Sequence, residues 1–250
     1  MRALKFNLNG RGAFFKKPDV NSFYYFTYGS IHKIALLGII GAVLGLKGYA
    51  DQGKDTYPEF YEKLKDIEVS IIPKNSEAYI SKKVQIFNNS VGYASKEEGG
   101  NLIVKEQWLE DPDWNIYIKL CDSPIFKEIE ERFLNRRFVY IPYLGKNDHI
   151  ANIKDICIVD IKEENEATKV TSFVFKKDFS ISTDQDEDID FDDLEDSLEN
   201  KWKYEEKLPI KLEETTNQYI TETMMATNMK LDKLSEVNLY REEENILYFF

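Results

Sequence analysis

Few residues in this 250-residue chain could perform acid–base or metal chemistry. Its two histidines, His32 and His149, lie far apart, and its two cysteines are Cys121 and Cys157. No Cys-x-x-Cys, His-Glu-x-x-His, Gly-x-Ser-x-Gly or Walker-type pattern is present. Carboxylates crowd residues 184–199 without spaced histidine partners, so that run does not read as a metal site. His149, within KNDHIAN, reads as a surface or turn residue and not as a general base. No metal or cofactor is expected. What does cluster is cations and rings. Arg11, Lys16 and Lys17 are interleaved with Phe14, Phe15, Phe23, Tyr24, Tyr25, Phe26 and Tyr28. Cations that neutralise phosphates, beside rings that stack on unpaired bases, equip a single-strand RNA groove. The same composition fits a hydrophobic loop packed on its domain with ordinary surface lysines. His32 and Lys33 follow at the first turn of a helix, where unpaired N–H groups favour an anion.

That helix is the most apolar window of the chain, IALLGIIGAVLGL at 34–46, bracketed by Lys33 and Lys47. It falls short of the roughly 20 residues that cross a bilayer, so it reads as a buried helix. Ser30 is the expected N-cap and Gly48 the expected C′ glycine. Gly38, Gly41 and Gly45 share one stripe, about 60° wide at about 100° per residue. Each helical glycine costs roughly 1 kcal/mol relative to alanine, so the stripe needs a steric reason. Close packing is one; close approach of a ligand or another subunit is the other. Both can hold for different glycines.

The composition, 42% hydrophobic and 31% charged, excludes a disordered chain and a polytopic membrane protein. MRALKFNLNG lacks the apolar core of a signal peptide, and the chain reads as cytoplasmic, with Cys121 and Cys157 as reduced thiols in a core. Net charge is −12, unevenly spread: residues 1–150 sum to +2 and 151–250 to −14. The first 17 residues carry no acid, whereas 184–199 hold ten acids and no base. A phosphate-binding surface answers to the local field, so nucleic acid fits the amino-terminal end only. The acidic run reads as a solvated or partly disordered loop, with a docking surface for a basic partner as the other reading.

Positioning elements follow from periodicity. A half-buried strand is predicted over 3–9, with Leu4, Phe6 and Leu8 on one face. After the glycine-striped helix come a short helix near 58–65 and strands at 67–72, 82–87, 101–108 and 114–121. Ser123-Pro124 opens a second long helix with Phe126, Ile129 and Phe133 on its apolar side, running into Arg136 and Arg137. Strands are predicted at 138–143, 153–161 and 170–175, and the apolar end, 246–250, is expected to pair into a sheet. This order gives an α+β, ferredoxin-like βαββαβ fold, the layout of an RNA-recognition motif, with extra strands inserted. Residues 1–177 would form this domain, 178–200 an acidic loop and 201–250 a carboxy-terminal β region.

Three segments, FNLNGRGAFFKKPD, SIHKIALLGIIGAVLGLKG and YIPYLGKNDHIANI, resemble in order three signatures of the fifth Cas family. That family supplies the subunit of the type I CRISPR surveillance complex, Cascade, that holds the 5′ handle of the guide RNA; the overall look is similar to its type I-B branch. The resemblance implies an inserted β-hairpin thumb and a non-catalytic role in antiviral defence. It implies the crRNA handle and the backbone and large subunits as partners, target DNA being met indirectly through the complex. By family position Lys16, Lys17 and Lys33 would contact the handle, with Lys146 and Asn147 as further candidates. Arg11, His32, Arg136 and Arg137, and the rings Phe14 and Phe15, come from the electrostatic and compositional reading. The family's Pro-x-Arg-Thr-Ala turn is here Ile31-His32-Lys33-Ile34-Ala35, without proline or threonine, and Lys33 lacks the bidentate fork of arginine. One branch of the family is itself a ribonuclease, and a metal-independent endoribonuclease acting on repeat RNA is the alternative. Its adjacent Lys-His pair has no counterpart here, so no nuclease activity is expected.

Overall fold

The computed structural model describes residues 1–19, 24–182 and 200–250. Phe23 and the acidic run 184–199 lie outside them. Strand β1 (Arg2–Asn9) is followed by the two-residue β2 (Gly12–Ala13), helix α1 (Lys33–Leu44), helix α2 (Glu59–Leu64) and β3 (Val69–Pro73). Next come β4 (Lys82–Asn88), β5 (Ile103–Glu110), β6 (Asp113–Lys119), α3 (Pro124–Leu134), β7 (Asn152–Asp160) and β8 (Lys162–Glu163). The later strands are β9 (Val174–Phe175), β10 (Phe179–Ile181), β11 (Lys203–Leu212) and β12 (Tyr219–Thr227). The last three are β13 (Leu231–Lys233), β14 (Leu239–Glu242) and β15 (Asn245–Tyr248).

The four strands of the expected βαββαβ unit form one sheet in the order β3-β6-β1-β7, every neighbouring pair antiparallel. The fold is α+β with the ferredoxin-like order of elements, and the β4–β5 hairpin is inserted between β3 and β6. Alternation decides the faces. Leu4, Phe6, Leu8, Trp114, Ile116 and Ile118 are fully buried in the core that also holds α1 and the Ile129 and Phe133 side of α3. Ala3 and Tyr117 point to the opposite face, where Tyr240, Leu247 and Phe249 cover them. Burying each large apolar side chain among these contributes about 1.5–3 kcal/mol.

On that covered face Lys5 reaches Glu242 at 2.8 Å, and the Tyr117 hydroxyl and Asn245 amide donate to the other carboxylate oxygen at 3.0 Å each. Burial pushes the Glu242 carboxyl up, but the hydrogen bonds from Lys5, Asn245 and Tyr117 outweigh it, and its pKa lies below the usual carboxylate range. β11 and β12 form a second antiparallel ladder, extended by β9, and contribute Leu208, Leu212 and Met224 to the main core. The expected pairing of 246–250 is present: β15 pairs with β14, and Phe250 exchanges two backbone hydrogen bonds with Val69.

Several expectations need correction. α1 is capped by His32, not Ser30: the Ser30 hydroxyl takes the buried Trp114 Nε1–H at 3.0 Å, and His32 Nδ1 accepts from the Ala35 N–H at 3.2 Å. It ends at Gly45, not Gly48, because Gly45 turns left-handed with φ 78°. Residues 138–143 are not a strand. Val139 and Tyr140 donate to the carbonyls of Val43 and Ala42, so the segment caps the carboxy end of α1. The strand expected at 170–175 is reduced to Val174–Phe175. Both cysteines are free but exposed, not in a core. Among the described residues no helix is long and apolar enough to cross a membrane.

Candidate nucleic-acid interface

The three segments that carry the family resemblance meet in space. Phe14 N–H donates to the Leu144 carbonyl at 3.0 Å, joining the first loop to the YLGKND turn. Gly145 makes this contact possible: its φ is +83°, and a Cβ there would lie 2.0 Å from the Phe14 carbonyl oxygen. Residues 15–17 fold back on 26–28, with Lys17 N–H donating to Phe26 and Tyr28 N–H to Phe15, both at 2.8 Å. This extended geometry sends Lys16 and Lys17 to opposite sides. Lys16 is exposed, its Nζ 4.0 Å from the Tyr25 ring centroid. Lys17 is held 2.8 Å from Glu206, which also accepts from the Gly29 N–H and the Tyr204 hydroxyl. Its charge is therefore largely cancelled within the chain.

Between α1 and this turn lies a cleft of about 690 Å³. Its floor is the part-exposed strip Ala35, Gly38 and Ala42, its mouth carries Lys16 and Lys47, and Tyr49, Tyr140 and Tyr143 stand along its rim. The glycine stripe divides here. A Cβ on Gly41 would meet Phe60 Cβ at 2.7 Å, and one on Gly45 would meet Val139 at 2.8 Å; both are packing glycines. Among the described residues Gly38 has nothing within 4 Å of that position, and its bare backbone opens the cleft.

The predicted site residues separate on this geometry. Phe14 and Phe15 are 6% and 3% exposed; they back the cleft wall and cannot serve as open stacking platforms. His32 is buried among the edges of Phe15, Tyr28 and Tyr219, with centroids 5.2–5.8 Å away. Burial pulls its pKa down to about 3, so the expected cation is a neutral ring. Lys33 does not line the cleft: Nζ donates to the Phe250 carbonyl at 3.1 Å, and burial, then Lys211, lowers its pKa to about 8. Lys146 sits 3.2 Å from Glu106 and 3.4 Å from Asp148, beside the exposed Asn147. Arg11, Arg136 and Arg137 are exposed and lie outside the cleft lining. Arg136 donates to the Ile153 carbonyl at 3.0 Å, and Arg137 lies 3.9 Å from Glu131.

His149 sits in a turn, as expected, but buried: its ring is edge-on to Trp108 at 4.6 Å, and burial lowers its pKa. Among the described residues no cluster of metal-ligating side chains occurs. The sequence reading missed Lys47, Tyr49, Tyr140 and Tyr143. The one signal for the last two is the proline within YIPY, which argues against a strand interior.

No family model and no curated protein matches the chain. Solved structures do. One titled "CRISPR RNA-guided surveillance complex" superposes with a TM-score of 0.54 at 9% identity, covering 93% of this chain and 91% of that one. A CRISPR protein from Archaeoglobus fulgidus gives 0.50 at 7% identity, over 99% and 98% of the two chains. At such identities the likeness is one of fold, and it extends over nearly the whole molecule.

Proposed function

We propose that this chain is a non-catalytic RNA-binding subunit of a CRISPR effector complex. In the finer reading it belongs to the fifth Cas family and holds the 5′ handle of the guide RNA against neighbouring protein subunits. The observation that carries the proposal is the cleft: an open glycine floor, tyrosines on the rim and free lysines at the mouth, assembled from the three segments that resemble the family. The fold it shares with a chain of an RNA-guided surveillance complex supports the setting. Each base stacked on a rim ring would supply about 1–3 kcal/mol, and each charged phosphate contact about 1.5–3 kcal/mol. A few of each hold RNA tightly without chemistry. Holding is favoured over cutting because both histidines are buried with lowered pKa values, which suits neither to shuttle protons to a bound substrate.

The test is guide-RNA content of the assembled complex purified from cells. Lys16→Glu reverses the free charge at the mouth, and Gly38→Leu fills the floor while raising helix propensity. Both should strip the RNA and leave the thermal midpoint unchanged or higher. Lys17→Glu is a poor probe, because it would face Glu206. Undiminished RNA in both variants would overturn the proposal in favour of a purely protein-contacting scaffold. Defined cleavage of repeat RNA without divalent metal would instead make the chain the endoribonuclease.

A further inference from the structure

The head of the cleft holds a polar group that none of the roles above uses. His32 is 4% exposed and lines the cleft. Its Nδ1 is fixed as acceptor by the Ala35 N–H, which assigns the ring proton to Nε2. Among the described residues that Nε2–H finds no acceptor, yet Nε2 is not sealed off as a buried unpaired atom. The faces around the ring are supplied by Phe15, Tyr28 and Tyr219, edge-on. With its pKa near 3, the ring stays neutral at any physiological pH. A neutral donor in an aromatic recess has little to offer a phosphate, which binds at the cationic mouth, but it suits the rim of a heterocycle.

We propose that His32 Nε2–H reads one unpaired nucleobase lodged in the cleft, accepting a carbonyl edge and rejecting an amino edge. This deepens the RNA-binding reading above and rests on it. The physical basis is asymmetric. A carbonyl oxygen satisfies the buried donor, whereas an amino group sets donor against donor and leaves both unpaired, which is the expensive case for a desolvated group. The base is thereby selected at the 4-position of a pyrimidine or the 6-position of a purine, while Lys16 and Lys47 hold the backbone whatever the sequence.

Uridine and cytidine differ at that edge and little in size, so binding of short fluorescent oligouridylate and oligocytidylate to the full chain, at one fixed salt concentration, tests the assignment. The wild-type protein should prefer oligouridylate by roughly tenfold. His32→Asn keeps an N-cap acceptor where Nδ1 stands and has no donor at Nε2; it should keep the helix and lose the preference. His32→Gln, whose longer amide places an N–H near Nε2, should keep the preference even with a weakened cap. The ratio should not change between pH 6 and pH 8 on the order of a titration step. No preference in the wild type, an unchanged ratio in His32→Asn, or a ratio that grows as imidazole protonates would each overturn the proposal. RNA bound with equal affinity defeats only the role of His32; no RNA bound at all defeats the RNA-binding reading as well.

Discussion

The two faces of the central sheet carry similar residues in opposite states. On the face covered by β14 and β15, Lys5, Tyr117, Asn245 and Glu242 form a closed set in which the carboxylate receives hydrogen bonds from all the others. On the helical side, at the head of α1, a histidine, a lysine and several tyrosines also gather. There, among the described residues, Lys16 is exposed without an ion pair, His32 keeps an unused N–H, and Gly38 faces open space. Charge and aromatic content do not separate the two. What separates them is whether the polar groups satisfy one another, and a set that does so has nothing left to offer a ligand.

Perturbing each side should sharpen that contrast. The largest effect is expected from Glu242→Ala, which leaves Lys5 and the Tyr117 hydroxyl without their acceptor. It should cost about 2–3 kcal/mol in chemical denaturation, below the roughly 3–5 kcal/mol of a fully buried broken pair because Lys5 is partly exposed. RNA content of the folded protein should be unchanged; RNA loss at intact fold would erase the distinction between the faces. Next comes acid. The pKa of His32 is near 3 when folded, below the usual imidazole value, so the unfolded chain binds its proton first. The associated stability is fully present above about pH 6.5 and is lost as pH falls toward the folded value, about 2 kcal/mol by pH 5. Equilibrium unfolding at a series of pH values should show that slope, and His32→Asn should flatten it. Gly41→Ala should cost about 1–2 kcal/mol by pressing a methyl group into Phe60. Gly38→Ala should stabilise by up to about 1 kcal/mol. Equal melting shifts for these two alanines would mean that the glycine stripe is not divided.

The sequence carried the scaffold well where periodicity was strong. The alternation of Leu4, Phe6 and Leu8, and of Trp114, Ile116 and Ile118, set two central strands, and Ser123-Pro124 marked the start of α3. It failed where a side chain had two possible employments. Ser30 is a good capping residue, but its hydroxyl was needed by Trp114, and no local pattern reveals that. Residues 138–143 have strand-like composition yet serve as a cap on the carbonyls of α1. The site suffered most from burial. A string such as AFFKK shows cations and rings together, but not that both rings turn inward or that Lys17 meets Glu206 from a strand almost two hundred residues later. Of the lysines and arginines read from sequence as RNA contacts, Lys16 alone lines the cleft. The glycines were legible as a stripe with two possible causes, and the structure assigns Gly41 and Gly45 to one and leaves Gly38 for the other.

The contact of Gly145 with the Phe14 carbonyl has a consequence for anyone redesigning this groove. Two stretches of chain some 130 residues apart are pressed so closely that neither can be thickened while the other stays put. Bulk added at 145 would push the Phe14 backbone, and with it the turn that aims Lys16. Widening or narrowing the cavity therefore requires both walls to be rebuilt together, with paired substitutions introduced in a single step.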